Sequence, residues 1–292
     1  MYTLFTDTDC DITPEIASKY GYKLISMPYT IHGKEVHPYV DFDVFDYKTF
    51  YDELRNIGKD SLPSTSALSP VEYMDYFEPE FAKGNDILYV HFSTEMSATF
   101  NSLRLAMEEL HEKYPQRKIT MINTKLISAG SYHLCLSIGE MYLKGATIEE
   151  IQKWAEVKIP KTALYFYADD LKFFGKSGRV SGLAALFGNL LGIRPVIFVD
   201  NDGKMKAKDK SRGRIHALRK LLKCVIGLQD DIKNQRGVIA HTEALEIAQE
   251  FGAMLKKEFG EDLKIIYEIV NPTAGCHCGP DSLGIAFHAK HR

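Results

Sequence analysis

Three times in the first half of this chain a short apolar run ends in a polar turn and opens a helix. That repetition constrains the fold more than any single motif. Tyr2–Thr6 runs into Asp7–Thr13, where Pro14 suits a first helical turn and Thr13 its cap. Ile87–Phe92 runs into Ser93–Thr99 and a helical stretch to about Tyr114. Lys118–Ile122 runs into Asn123-Thr124 and a helical stretch over Ser128–Leu143. Strand, turn and helix in that order predict a parallel sheet with flanking helices. The residues after each strand then gather at the carboxyl edge, where such sheets bind ligands.

The second half has a different rhythm. Ala163–Ala168, Val196–Val199, Lys204–Lys210, Val238–His241 and Lys264–Val270 read as strands, with Asp200-Asn201-Asp202-Gly203 as a hairpin turn. Arg214–Leu222 and Ala244–Glu258 read as helices, which predicts a mixed sheet with helices on one face. The expected fold class is α/β with two α/β domains, 1–160 (parallel sheet) and 161–292 (mixed sheet). Their boundary lies near Pro160, after the helix Ile148–Val157. A length of 292 residues suits two domains at roughly 150 residues each.

Composition narrows the function classes. A hydrophobic fraction of 45% with 26% charged residues is that of a packed protein. Thirty-six basic against 39 acidic residues give a net charge of −3, which disfavours a nucleic-acid binder. The N-terminus lacks a basic segment followed by an apolar one, and no apolar stretch approaches the ~20 residues of a membrane span. The five cysteines are odd in number and mostly scattered, so they do not form a disulfide framework. A cytoplasmic location is expected.

Five clusters can carry chemistry. Asp7-Thr8-Asp9-Cys10-Asp11 offers three carboxylates to a hard cation, but it lacks the glycine and distal glutamate of a calcium loop. Helix capping is the favoured reading there, and no metal is expected. Ser64–Pro70 places Thr65 and Ser66 where hydroxyls either bind an anion or cap a helix. Ser93-Thr94-Glu95-Met96-Ser97-Ala98-Thr99 follows a strand and opens a helix. Glu95 and Thr99 stand where a hydrolase elbow needs glycines around Ser97, so anion binding suits this turn better than nucleophilic attack. Gly275-Cys276-His277-Cys278-Gly279-Pro280 lacks the second cysteine pair of a closed zinc site and reads as a tight turn presenting His277 to an anion. Gly175-Lys176-Ser177 resembles the tail of a phosphate loop, yet Asp170 stands where the earlier glycine belongs. The apolar stretch Leu183–Leu191 beyond it reads as core or as the wall of an apolar tunnel.

In their order and spacing these clusters resemble the DegV family of bacterial fatty-acid-binding proteins, over essentially the whole chain. The matching segments are the acidic turn after the first strand, Thr65-Ser66, Ser93…Ser97-Ala98-Thr99, Asn123-Thr124 with Ser128-Ala129-Gly130, Gly178-Arg179-Val180-Ser181, Ile193-Arg194-Pro195, Asp202-Gly203 and His277-x-Gly279-Pro280. The resemblance implies two α/β domains with a long-chain fatty acid between them. It also implies no cofactor beyond that ligand, and a monomer. Some members carry the acid for a separate ATP-binding subunit of a fatty acid kinase. Thr65, Ser97 and His277 match the family's carboxylate ligands, and Arg179 matches its Gly-Arg pair. Ser66, Ser93, Thr94 and Thr99 are secondary candidates for the ligand site. The chain departs from the family at Ala67-Leu68, Ala98 and Asp281. An acidic side chain at 281 would alter the turn behind His277 and disfavour an anion.

The leading expectation is therefore a non-catalytic carrier that presents a fatty acid to a partner kinase. The alternatives are a serine-dependent acyl hydrolase or transferase using Ser97 and His277, and a lipid sensor with no catalytic partner. The basic stretch Lys204–Arg214 reads either as a lysine-guarded edge strand or as a docking surface for the kinase subunit, with Arg212 and Arg214 as anchors.

Overall fold

The computed structural model describes residues 1–41, 44–181 and 192–292. In chain order its strands are β1 (Tyr2–Asp7), β2 (Tyr22–Ile25), β3 (Tyr29–Ile31), β4 (Lys34–Val36), β5 (Ser64–Thr65), β6 (Asp86–His91), β7 (Ile119–Asn123), β8 (Thr162–Tyr167), β9 (Val180–Ser181), β10 (Ile193–Val199), β11 (Met205–Arg212), β12 (Arg236–His241), β13 (Lys264–Ile269) and β14 (Leu283–His288). Its helices are α1 (Pro14–Tyr20), α2 (Tyr47–Asn56), α3 (Pro70–Ala82), α4 (Thr99–Lys113), α5 (Ala129–Leu143), α6 (Ile148–Lys158), α7 (Leu171–Ser177), α8 (Arg214–Leu228), α9 (Leu245–Phe259) and α10 (Pro272–Cys278). The apolar stretch Leu183–Leu191 lies outside the described residues.

The three strand–turn–helix repeats form a parallel sheet in the order β2-β1-β6-β7. Central β6 is buried on both faces, with Ile87, Leu88, Tyr89 and Val90 fully covered, as a continuous apolar run in a helix-flanked sheet should be. Helix α1 starts as read: Pro14 occupies the first turn, and Thr13 Oγ1 accepts the Ile16 N–H. The acidic turn does not cap it. Asp7–Asp11 instead forms a buried turn ahead of Thr13, with Asp7, Asp9 and Asp11 all withdrawn from solvent.

The second sheet is mixed, in the order β13-β12-β14-β8-β10-β11-β9. The β10–β11 hairpin turns where the sequence placed it. Asp200 Oδ1 accepts the N–H groups of Asp202 and Lys204, and Gly203 takes φ 92°. Every residue of β8 is buried, because its alternate side chains enter two cores. Leu164 and Phe166 join the core shared with the parallel sheet. Ala163, Tyr165 and Tyr167 join a second core with Leu218 and Leu221 of α8 and Phe251 and Leu255 of α9.

Helices therefore cover both faces of the mixed sheet, not one as expected. The second cover is α5, from the first half of the chain. Its residues Ala129–Leu136 are all buried, and its Leu134, Cys135 and Ile138 share a core with Leu164, Val238 and Ala286. A helix without a polar face must be covered all round, and here it is packed between the two sheets.

Residues 22–65 carry β2 to β5 and α2, elements the sequence pattern left unassigned. Strands of two to four residues are too short to show a period-2 alternation. β4, β3 and β5 form a small antiparallel sheet. Tyr29 of β3, with Phe50, Tyr51 and Leu54 of α2, builds a satellite core against Phe173 and Cys276, and this core seats α10. No helix among the described residues is long and apolar enough to cross a membrane.

Candidate functional site

The polar cluster begins with α10. This short helix is held at its start by Asp11, whose Oδ1 accepts both the backbone N–H (2.9 Å) and the side-chain N–H (2.7 Å) of Asn271. Asn271 Oδ1 in turn accepts the Ala274 N–H and caps the helix. Thr273 Oγ1 donates to the Met27 carbonyl (2.7 Å). A Cβ at Gly275 would lie 2.5 Å from the Tyr51 hydroxyl, so glycine lets α10 approach α2. Gly279 ends the helix at φ 68°, and a Cβ there would meet the Phe173 ring at 2.2 Å. His277 thus sits in the last turn of a helix, not in the tight turn expected from the flanking glycines.

Held this way, the His277 Nε2 lies 3.0 Å from Thr65 Oγ1 on β5, across 212 residues of chain. Burial pushes the imidazole down to about 4, and the nearby Arg179 charge adds to the effect. His277 is therefore uncharged at neutral pH. Ser97 follows the turn that leaves β6, and its Oγ accepts the Thr99 N–H (3.2 Å). Thr65, Ser66, Ser97, Arg179 and His277 all line one cavity of about 930 Å³, counted with its open mouth. The space is narrow. Its walls are mostly apolar and come from both halves of the chain: Phe92 and Ala129 from the first, and Leu164, Phe166, Met205 and Ala240 from the second.

The remaining candidates lie elsewhere. Ser93 is buried and donates to the Gly203 carbonyl (2.8 Å), tying the turn after β6 to the β10–β11 hairpin. Thr94 Oγ1 accepts from Asn123 Nδ2 (2.9 Å) and lines a neighbouring surface groove. Thr99 is buried and accepts the Leu68 N–H (3.2 Å), with the Tyr73 hydroxyl 2.9 Å away. Ser66, although in the cavity wall, donates to Glu35 Oε2 (2.5 Å).

Two further readings change, and the weak phosphate-loop resemblance falls away. Asp281 does not line the cavity. It pairs with Arg55 (3.0 Å to Nη2), so its charge is met outside the site. Gly175-Lys176-Ser177 closes α7, with Gly178 at φ 66° as its cap, and is not a phosphate loop. Arg214 is half-buried and lies 3.5 Å from Asp169, which already holds Arg194 at 2.6 Å, so it is not an open docking anchor. Arg212 is exposed. Among the described residues, strand β11 pairs on its outer side only with β9, at Met205 and Lys206, and Lys208 lies over the rings of Tyr165 and Phe198.

Asp9 is the cavity residue whose place sequence reasoning missed. It belongs to the acidic turn, but it neither caps α1 nor joins a metal cluster, and no group able to hold a metal occurs among the described residues. Ser128, also in the wall, takes φ 50° and ψ −132°. Its N–H donates to the Asp9 carbonyl (2.7 Å) and its hydroxyl to Asp11. The apolar wall was equally invisible, because its residues are scattered over strands of the mixed sheet and over turns and helices of both halves.

Parallel and mixed sheets sharing a core, with a narrow, mostly apolar cavity whose wall also carries hydroxyls and an uncharged imidazole, define the class: an α/β protein with an interior cavity. The chain belongs to the DegV family, whose model matches residues 1–290. A DegV domain-containing protein of Clostridium perfringens is 30% identical over 288 residues, covering 97% of each chain. Among solved structures, a DegV family protein from Ruminococcus gnavus refined with vaccenic acid superposes with a TM-score of 0.83 at 23% identity, over 98% of this chain and 99% of that one. A stearic-acid-binding protein from Eubacterium ventriosum superposes with a TM-score of 0.85 at 20% identity, over 98% of each chain.

Proposed function

We propose that this protein binds a long-chain fatty acid, with the carboxylate at Thr65, Ser97 and His277 and the acyl chain along the apolar wall. The observation that carries the reading is one narrow cavity whose wall holds Thr65, Ser97, Arg179 and His277 and is apolar over most of the rest. A buried carboxylate needs several hydrogen-bond donors. Two hydroxyls and a neutral imidazole can supply them once the ligand takes over the Thr65–His277 contact, and Arg179 adds a positive charge to the same wall. Sixteen carbons at ~0.8 kcal/mol per methylene set a ceiling of about 12 kcal/mol before association costs, so the acid should survive purification.

The Arg179 guanidinium donates to the Ser177 carbonyl, so a carboxylate held mainly by the neutral donors stays nucleophilic, which supports presentation of the acid to a separate ATP-dependent kinase subunit that would make the acyl phosphate. A hydrolase is less well supported. His277 is engaged with Thr65, and among the described residues no hydrogen bond joins it to Ser97. Arg212 is the candidate dock that stays exposed.

Mass spectrometry of purified, then denatured protein tests the binding reading: one long-chain acid per chain is expected, and finding none overturns it. The partner reading is tested by adding an ATP-binding kinase subunit and ATP to the loaded protein. Acyl phosphate should form only when all three are present, and Arg212→Glu should slow it most at low salt.

A further inference from the structure

The acidic turn after β1 puts into the cavity wall a carboxyl group that its own surroundings leave unsatisfied. Asp9 lines the cavity and is 7% exposed. Its Oδ1 is buried and has no hydrogen-bond partner among the described residues. The neighbouring polar groups of the wall are committed elsewhere: the Ser128 hydroxyl to Asp11 and the Thr273 hydroxyl to the Met27 carbonyl. Asp7 keeps one unpartnered oxygen as well, but it is outside the wall, and its other oxygen takes the Tyr89 hydroxyl (2.9 Å).

A buried polar atom without a partner carries its full desolvation cost, and native proteins retain few of them. In a ligand cavity the missing partner can come with the ligand. An unsubstituted alkyl chain brings none. Burial, with Asp7 and Asp11 close by, holds the Asp9 carboxyl well above the ordinary carboxylate range. The neutral acid has one O–H to donate and a carbonyl oxygen to accept, and an alcohol answers both.

We propose that Asp9 makes this cavity selective for an acyl chain that bears a hydroxyl group, so that the preferred ligand is a hydroxy fatty acid. This rests on the fatty-acid reading of the same cavity and adds the substrate class to it. The hydroxyl meets the Asp9 carboxyl inside the wall, while the ligand carboxylate stays with Thr65 and His277.

The test is displacement of a fluorescent long-chain acid from the full-length protein by octadecanoic acid and by a positional series of hydroxyoctadecanoic acids. At least one isomer should displace the probe at a concentration about tenfold lower than octadecanoic acid does, the effect of one buried hydrogen bond. Asp9→Leu should erase that preference and tighten octadecanoic acid. Asp9→Asn, nearly isosteric and still able to pair with an alcohol, should keep part of it. If every isomer binds the wild-type protein no tighter than octadecanoic acid, or if the preference survives in Asp9→Leu, the proposal is overturned. If neither the plain nor the hydroxylated acids displace the probe, the fatty-acid reading fails and this proposal fails with it.

Discussion

The polar cluster of the cavity and its apolar wall are built in opposite ways. Thr65, Ser97 and His277 each lie in or beside a short polar segment that stands out in the sequence. Each is positioned by local devices: a two-residue strand, a turn after β6, and a capped seven-residue helix. The wall has no such devices. Leu164, Phe166 and Ala240 are ordinary sheet residues, and they meet Phe92, just past the end of β6, only because α5 brings the two sheets together. The difference teaches where affinity and specificity reside. On the proposed fatty-acid reading, the wall would supply area, which scales with apolar burial, and the cluster would supply direction.

Blocking the wall should have the largest effect. Ala240→Phe puts a ring into the narrow space and should lower the copurified long-chain acid to less than about a tenth of the wild-type content, at a stability cost of about 1–3 kcal/mol. Full acid content in that variant would break the division between wall and cluster. The next largest effect falls on the clamp behind the cluster. Asp11→Ala removes the acceptor for both N–H groups of Asn271 and for Ser128, and it should cost about 3 kcal/mol in urea unfolding.

His277→Ala should weaken fatty-acid binding by about tenfold in a displacement titration and leave the acid detectable after purification, because most of the affinity is apolar. Thr99→Val sharpens the boundary of the cluster. It should cost about 1 kcal/mol of stability through Leu68 and Tyr73 while binding stays within about twofold.

The smallest effect is a difference in pH slope, and its sign separates His277 from the acidic turn. His277 is depressed from 6.5 to about 4, so its neutral form favours folding above pH 6.5, and that contribution is lost as pH falls through about 4. Asp11 is raised from 3.8 to about 6 by burial, so its contribution is present below pH 3.8 and is lost as pH rises through about 6. In urea midpoints between pH 4 and 7, His277→Gln should flatten the acid-side fall, and Asp11→Asn should make the stability rise more steeply with pH. Equal slopes in the two variants would remove the contrast.

The parallel sheet, the hairpin at Asp202-Gly203, the cap of α1 and the segments that carry Thr65, Ser97 and His277 are legible in the sequence, because each depends on local periodicity or turn chemistry. Residues 22–65 are not, since their strands are too short to have a period. The double cover of the mixed sheet, the helical setting of His277 and the membership of Asp9 in the cavity are tertiary outcomes. A polar turn after a strand reads the same whether it faces solvent, caps a helix or is enclosed. What decided for Asp9 was the packing of α5 and α10 against the turn after β1, which shut out solvent and left Asp9 in the wall of a cavity. The sequence alone determined which polar groups stand at the ends of strands. The tertiary structure decided which of them are desolvated and which are brought within 3 Å of one another, because burial and long-range contact depend on segments hundreds of residues apart.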